Sequence, residues 1–225
     1  MAKPLPVIKI TALAKHHGRF LIAIGTALML VTLMLSQYFW QQQRLPLIFL
    51  ILVALILIFT GVLKELEPKH SVLLSPKGIK YQHKYGQWHL TWQQIQKVSQ
   101  IKETTGLTLL NLPYIGIRLH NLESFAQQIS PRLANRLIHE QKPLIAFALM
   151  HQLLSLEQSQ LNFSPYKLST GQLLKGPLAA FLYHCQALHT GFGYHLVIPQ
   201  NSVDRELNDF CQLLSQCQQS AGKYL

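Results

Sequence analysis

Two unbroken apolar stretches fill most of the chain between residues 20 and 63, and short alternating runs follow them. Residues 20–43 carry no charged side chain, and neither do residues 45–63. A helix rises ~1.5 Å per residue and the hydrocarbon core of a bilayer is ~30 Å thick, so about 20 apolar residues suffice to cross it. The runs FLIAIGTALMLVTLMLSQYFW (residues 20–40) and LPLIFLILVALILIFTGVL (residues 45–63) predict two transmembrane helices. Only Gln41, Gln42, Gln43 and Arg44 lie between them, so the two form an antiparallel hairpin. Pro46 suits the first turn of the second helix, where its missing N–H costs nothing. Tyr38, Phe39 and Trp40 supply an interfacial aromatic belt. The competing reading of the first run is a cleaved signal peptide. Bulky Gln37–Trp40 stands where a small-x-small cleavage site belongs, and a second apolar run follows at once, so the segment is expected to stay. Neither span holds Asp, Glu, Lys, Arg or His, which argues against a channel or transporter working alone. Ala23 and Ala27 form a small-x-x-x-small pair of the kind that lets helices approach closely.

The pattern changes after Glu67-Pro68, and residues 66–225 read as one α+β domain. Ser71–Leu74 predicts a strand and Ser75-Pro76-Lys77-Gly78 a turn. Along Ile79–Tyr85, Ile79, Tyr81, His83 and Tyr85 alternate with Lys80, Gln82 and Lys84. Trp88–Trp92 alternates again, and Ile95 with Val98 breaks to a three-residue step that suggests a twist or short turn. Thr108–Leu110 and Tyr114–His120 complete a set of hairpin strands, which indicates an antiparallel sheet. A helical stretch of about residues 122–190 follows. Leu122, Phe125, Ala126, Ile129, Leu133 and Leu137 recur at three- and four-residue steps, interrupted at Ser130-Pro131. Pro143–Leu156 predicts a second helix, and Thr170–Leu188 a third, bent at Gly176-Pro177. The apolar runs Pro143–Met150 and Pro177–Tyr183 are too short to span a bilayer and read as core, with a membrane-surface position as the alternative. Tyr194–Pro199 predicts a last strand. A closing helix follows, capped by Asn201 or Ser202, with Asp204 and Glu206 in its first turn and Leu207, Phe210, Leu214 and Cys217 on its buried side.

Charge orients this arrangement. The formal net charge is +11, of which residues 1–19 contribute +4 through Lys3, Lys9, Lys15 and Arg19. Arg44 alone marks the turn between the spans, and residues 64–84 hold five Lys. Excess Lys and Arg faces the cytoplasm, so both termini are expected there. The basic balance is then topology and contact with anionic lipid, and no basic helix or recognised motif accompanies it that would point to nucleic acid. Lys77, Lys80 and Lys84 follow the second span closely, with Lys80 and Lys84 spaced to point the same way from one strand. They are the expected contacts to lipid headgroups or to a membrane-protein partner. The unadorned alternative is a solvated strand face. Three cysteines, Cys185, Cys211 and Cys217, show no framework spacing and fit a reducing compartment without a disulfide.

The run SPKGIKYQHKYGQWHLTWQQIQKVSQ resembles the opening of bacterial pleckstrin-homology-like domains, which have a turn bearing Gly and then a strand ending in Trp before an Ile. Gly78, Trp92 and Ile95 occupy those places. The ending YHLVIPQNSVDRELNDFCQLL resembles the last strand and capping helix of the same fold. Two spans before such a domain resemble a bacterial family of unknown function at the inner membrane. The resemblance covers about residues 70–120 and 192–219. It implies a PH-like sheet with the helical stretch as an insertion, a membrane-apposed binding or scaffolding role, and no catalytic residues.

The residues themselves add no strong chemistry. His16-His17 flank the first span beside Lys15 and Arg19, an interfacial position. His184, His189 and His195 cluster in sequence, but the five-residue step from His184 to His189 is poor for one helix face, so no metal site is expected. Adjacent His184 and Cys185 point about 100° apart on a helix and do not pair as base and nucleophile. No paired carboxylates stand out among the acidic residues, and Gly191-Phe192-Gly193 reads as a turn rather than a phosphate loop. Neither a catalytic residue nor a cofactor is expected. Two readings of function remain: a membrane-anchored interaction or scaffold module, and a membrane-tethered enzyme whose site is assembled from the helical insertion and the strand ends.

Overall fold

A computed structural model of the chain describes residues 7–11, 18–66, 68, 70–105 and 108–222, and shows two compact units. Lys3, Lys15, His16 and His17, named above, lie outside the described residues.

The first unit is a pair of helices, α1 (Gly18–Phe39) and α2 (Arg44–Glu65), each long and apolar enough to cross a membrane. They pack antiparallel along a seam with a period of seven. Gly18, Gly25 and Thr32 are the buried residues of α1, and Leu47, Ala54 and Gly61 those of α2. A seven-residue repeat keeps one stripe of each helix on its neighbour. The glycines make the approach close: a Cβ on Gly61 would stand 2.6 Å from Ile22 Cγ1, and one on Gly25 would stand 2.7 Å from Ile58 Cγ1. Ala23 and Ala27 are exposed and play no part in the seam, contrary to the sequence reading. Their four-residue step cannot follow a stripe that advances by seven. Thr26, Thr32 and Thr60 each donate a hydroxyl hydrogen bond to the carbonyl four residues back, at 2.7–2.8 Å, so these polar groups need no water.

The second unit starts from two antiparallel sheets. The first is ordered β1 (Ile8–Ile10), β2 (Val72–Ser75), β3 (Gly78–His83) and β4 (Gly86–Thr91). Strand β1 comes from the segment ahead of α1 and pairs Ile8 with Leu74 and Ile10 with Val72. Ile10 C=O accepts the Ser71 N–H at 3.0 Å. At Gly78 a Cβ would overlap the Leu90 carbonyl, so this turn tolerates only glycine. A 3-10 turn, Trp92–Gln94, leads into the second sheet. This sheet has β5 (Ile95–Thr105) and β6 (Thr108–Leu119), joined after the helical insertion by β9 (Leu196–Pro199).

Two sequence expectations change at β5 and β6. The segments Thr108–Leu110 and Tyr114–His120 form one strand ending at Leu119, interrupted by a slip in register between Gln100 and Lys102, opposite Leu112–Tyr114. Pro113, which has no N–H to donate, falls in that irregularity. A second slip between Ile95 and Lys97 explains the three-residue step from Ile95 to Val98 within a continuous strand.

The insertion contains α3 (Pro131–Glu140), α4 (Lys142–Met150), the one-turn α5 (Leu156–Ser159), a two-residue hairpin of β7 (Tyr166–Lys167) and β8 (Leu173–Leu174), and α6 (Pro177–Phe192). Ser130 caps α3 by accepting the Leu133 N–H. The predicted Pro143–Leu156 helix stops at Met150, with Gln152 at positive φ. The predicted bend at Gly176-Pro177 is instead the start of α6: Gly176 takes φ +66° and Pro177 the first helical position. The last helix, α7 (Leu207–Gly222), begins later than the sequence suggested. Gln200–Ser202 forms a 3-10 turn, and the Ser202 carbonyl accepts the Ser71 hydroxyl, so neither Asn201 nor Ser202 caps α7.

One core holds the unit together. Ile10, Val72, Leu74, Ile79, Tyr81, Trp88 and Leu90 from the first sheet meet Ile95, Ile115, Ile117, Leu119, Leu196 and Ile198 from the second. Leu207, Phe210 and Leu214 of α7 belong to the same cluster. Trp88 stacks on Tyr81 at 5.3 Å and meets the Phe125 ring edge-on at 5.7 Å, and Phe125 carries the contact to Phe181 of α6. The second sheet is covered on its other side too, where Leu144 of α4 and Leu188 of α6 cluster with Ile101, Leu112, Tyr194 and Val197. The run Pro177–Tyr183 is therefore largely core, while α4 leaves Met150 exposed.

Candidate surface of the first sheet

Alternation along β1–β4 sends one set of side chains into the core and the other outward. The register lines up Lys9, Leu73, Lys80 and His89 in one cross-strand row on the outer side. Lys9 and His89 are exposed and Lys80 is half-buried. Strands β1 to β4 contain no Asp or Glu, so positive charge on this face meets no acid from its own sheet. The next row pairs Gln82 with Gln87. Lys77 is exposed in the turn between β2 and β3.

Lys84 stands apart from that group. Strand β3 ends at His83, so the alternation that put Lys80 and Lys84 on one side stops before Lys84. Lys77 and Lys84 occupy the turns at opposite ends of β3, separated by about 20 Å at ~3.3 Å per residue. Lys84 joins a second basic cluster around the Tyr85 ring. Its Nζ lies 5.3 Å from the ring centroid, and the guanidinium carbons of Arg132 and Arg136 lie at 5.3 and 5.4 Å. Cations over a phenol ring are attracted by its negative face. The Glu140 carboxylate accepts from Arg136 Nε at 2.7 Å and lies 3.5 Å from His83 Nε2. Burial pushes the Glu140 pKa up, but the hydrogen bonds and charges of His83 and Arg136 outweigh it and leave the group below its ordinary value. Arg132, Arg136 and Glu140 were not singled out from sequence. Their four-residue spacing along one side of α3 is the signal that marks them.

In the sequence alone Lys9 reads only as flanking charge. Nothing in three residues of sequence, IKI, marks them as a strand belonging to a sheet that resumes after both helices.

The histidine and cysteine cluster separates into structural groups. His184 is buried, with Nε2 paired to Gln141 Oε1 at 2.9 Å, and burial lowers its pKa to about 4. Cys185 is fully buried and its thiol is pushed well above its ordinary value, the opposite of an activated nucleophile. His189 and His195 stack at 4.3 Å, and His195 Nδ1 accepts the Leu119 N–H at 3.1 Å. Burial, then the charges of His189 and Arg118, lowers the His195 pKa to about 4. Among the described residues, no three His, Cys, Asp or Glu side chains gather as a metal site would require.

Comparison with known families places the chain. It belongs to a family of proteins of unknown function, DUF2982, whose pattern matches residues 72–220. That match begins at β2 and ends in α7, so β1 and both apolar helices lie ahead of it. No curated protein and no solved structure matches the chain.

Proposed function

We propose that this DUF2982 member is a membrane-anchored interaction module of the bacterial inner membrane, which holds the basic face of its first sheet against anionic headgroups. In this reading α1 and α2 cross the bilayer as a hairpin, both termini are cytoplasmic, and the chain from residue 66 onward is the cytoplasmic domain. Two antiparallel sheets closed by a C-terminal helix support a pleckstrin-homology-like fold with residues of about 122–190 inserted.

The pairing of β1 with β2 carries the proposal. Residues on either side of the two apolar helices form one sheet, so they must share one side of any membrane the helices cross. Two crossings satisfy that condition; one does not. Removal of α1 as a signal peptide would also remove β1 and leave β2 as an open edge. The positive-inside rule assigns the shared side to the cytoplasm, with four basic residues in 1–19 and five in 64–84 against Arg44. The connections are short: residues 11–17 lead into α1 and residues 66–71 leave α2. Chains of that length reach at most about 20–25 Å. Each Lys near an anionic leaflet contributes ~1 kcal/mol, over a screening distance of ~8 Å at physiological salt. Lys9, Lys77 and Lys80 are the residues assigned to that contact. Lys84, with Arg132 and Arg136 around Tyr85, lies outside that contact. The enzyme reading has less to stand on, since the buried imidazoles are held neutral and the buried thiol protonated.

The test places a single cysteine at His89 in the full chain, with native cysteines replaced, in nanodiscs. Labelling by an impermeant maleimide should slow as anionic lipid is added and recover at high salt. Changing Lys9, Lys77 and Lys80 together to Gln should remove the dependence. A labelling rate indifferent to lipid charge would sink the proposal.

A further inference from the structure

Where the first sheet meets the C-terminal half of α7, a groove of about 650 Å³ opens. Its size is that of sites taking one small molecule, typically about 300–1,000 Å³. The walls are mostly carbon, with Ile8 and Leu74 from the sheet, Trp92 from the turn after β4, and Leu213 and Ala221 from α7, while Gln93, Gln216 and Ser220 add polar groups to the lining. Polar groups behind the wall are already paired. The Trp92 indole N–H donates to the Ser75 carbonyl at 3.0 Å, and Gln218 Nε2 donates to the Ile95 carbonyl at 2.9 Å. Among the described residues of the lining, Lys77 is the one that is charged, exposed in its turn and with no acid beside it.

A largely apolar trough with a single cation at its edge among the described residues is complementary to an amphiphile with a single negative head. It suits a polyanion badly, since one Lys is a point charge without the bidentate fork or second cation that a phosphate cluster calls for. We infer that this groove binds a long-chain fatty acid, with the carboxylate at Lys77 and the chain along Ile8, Trp92 and Leu213. The site goes beyond the scaffold reading and shares only Lys77 with it. Strand β1 builds one wall, so the groove depends on a segment that lies outside the part of the chain matched to the family.

Photocrosslinking maps the site directly. The full chain in zwitterionic nanodiscs is irradiated with palmitate bearing a terminal diazirine, then digested and sequenced by mass spectrometry. Adducts are expected on the groove lining away from Lys77, at Ile8, residues 91–93 or residues 213–221. Lys77→Gln should cut their yield about two- to fivefold, the worth of one exposed charge contact. The same change should leave labelling by a neutral palmityl alcohol probe unaltered. Gln216→Trp and Ser220→Phe, both at exposed positions of the rim, should lower labelling by both probes without changing the circular dichroism spectrum. Adducts confined to residues 18–65, or yields equal in all these variants, would overturn the inference. So would stronger labelling of the groove by a lysophosphatidic acid probe than by palmitate. The headgroup proposal is read from His89 labelling, so either idea can fail while the other stands.

Discussion

Replacing Ile10 by Ala tests the strand on which the topology depends. Ile10 is fully buried, in a strand of three residues whose other inward neighbour, Ile8, is half-buried. Truncating a buried Ile to Ala costs about 2–5 kcal/mol, through lost burial and the cavity left behind. In a domain of this size each kcal/mol shifts the melting temperature by about 2–4 °C, so a fall of about 4–20 °C is expected. Lys9→Ala, one residue away and exposed, should stay within about 0.5 kcal/mol of the parent. Near-ultraviolet circular dichroism of the full chain in detergent reports the transition, because Trp88 and Trp92 are buried at 3% and 5% exposure in the core that Ile10 joins. Amide exchange gives a local check: the Ser71 N–H, bonded to the Ile10 carbonyl, should exchange faster in the variant. If Ile10→Ala melts with Lys9→Ala, strand β1 contributes nothing to the core and the same-side argument loses its basis.

Gly61→Val should open the helix seam, because its first side-chain carbon already meets Ile22 and the Gly18 backbone; overpacking of this kind costs about 1–3 kcal/mol. Oxidative crosslinking of a chain carrying Thr32→Cys and Leu47→Cys should then fall several-fold, and an unchanged yield would refute the close approach. Acid should loosen the second unit, since the folded pKa of His184 is about 4 against 6.5 and the unfolded chain binds more protons between those values. The contribution is whole above about pH 6.5 and lost as pH falls towards 4, by about 3 kcal/mol, with His195 acting in the same direction. His184→Gln should flatten the dependence of the urea midpoint on pH, and a slope equal to the parent's would show that this burial is not coupled to stability.

Long apolar helices and alternating strands were legible because each carries its own period. The two long helices, Ile79–Leu90 and the stripe Leu207, Phe210 and Leu214 all follow from local spacing. What was not legible depends on pairing between distant segments. The three residues Ile8–Ile10 have no period to detect, and only the register with Val72–Leu74 makes Lys9 a neighbour of Lys80. The helix seam escaped for a related reason: a four-residue spacing drew attention to Ala23 and Ala27, while the contact follows Gly18, Gly25 and Thr32 at seven. Pro113 concealed the unity of β6, since a proline within a strand reads as a break until the irregularity that houses it is seen. On the candidate surface, the places of Lys77 in a turn and Lys80 in a strand follow from local spacing. Arg132 and Arg136 needed the fold to bring α3 against Tyr85.

The pairing of β1 with β2 also orders the making of the protein. Ser71 and Ile10 are 61 residues apart, and bringing such distant points of a free chain together costs about 4 kcal/mol in loop-closure entropy, growing as ~(3/2)RT ln n. The glycine-lined hairpin removes most of that cost, because antiparallel α1 and α2 return the chain to the side it left. Pairing of the two helices therefore comes first and sheet closure second. Until α2 has emerged from the ribosome and docked on α1, β1 has no partner and the edge of β2 has not been made. A chain stopped before residue 72 would leave Ile8 and Ile10 without the strand they pair with, so this part of the core closes only once both helices and β2 have been made.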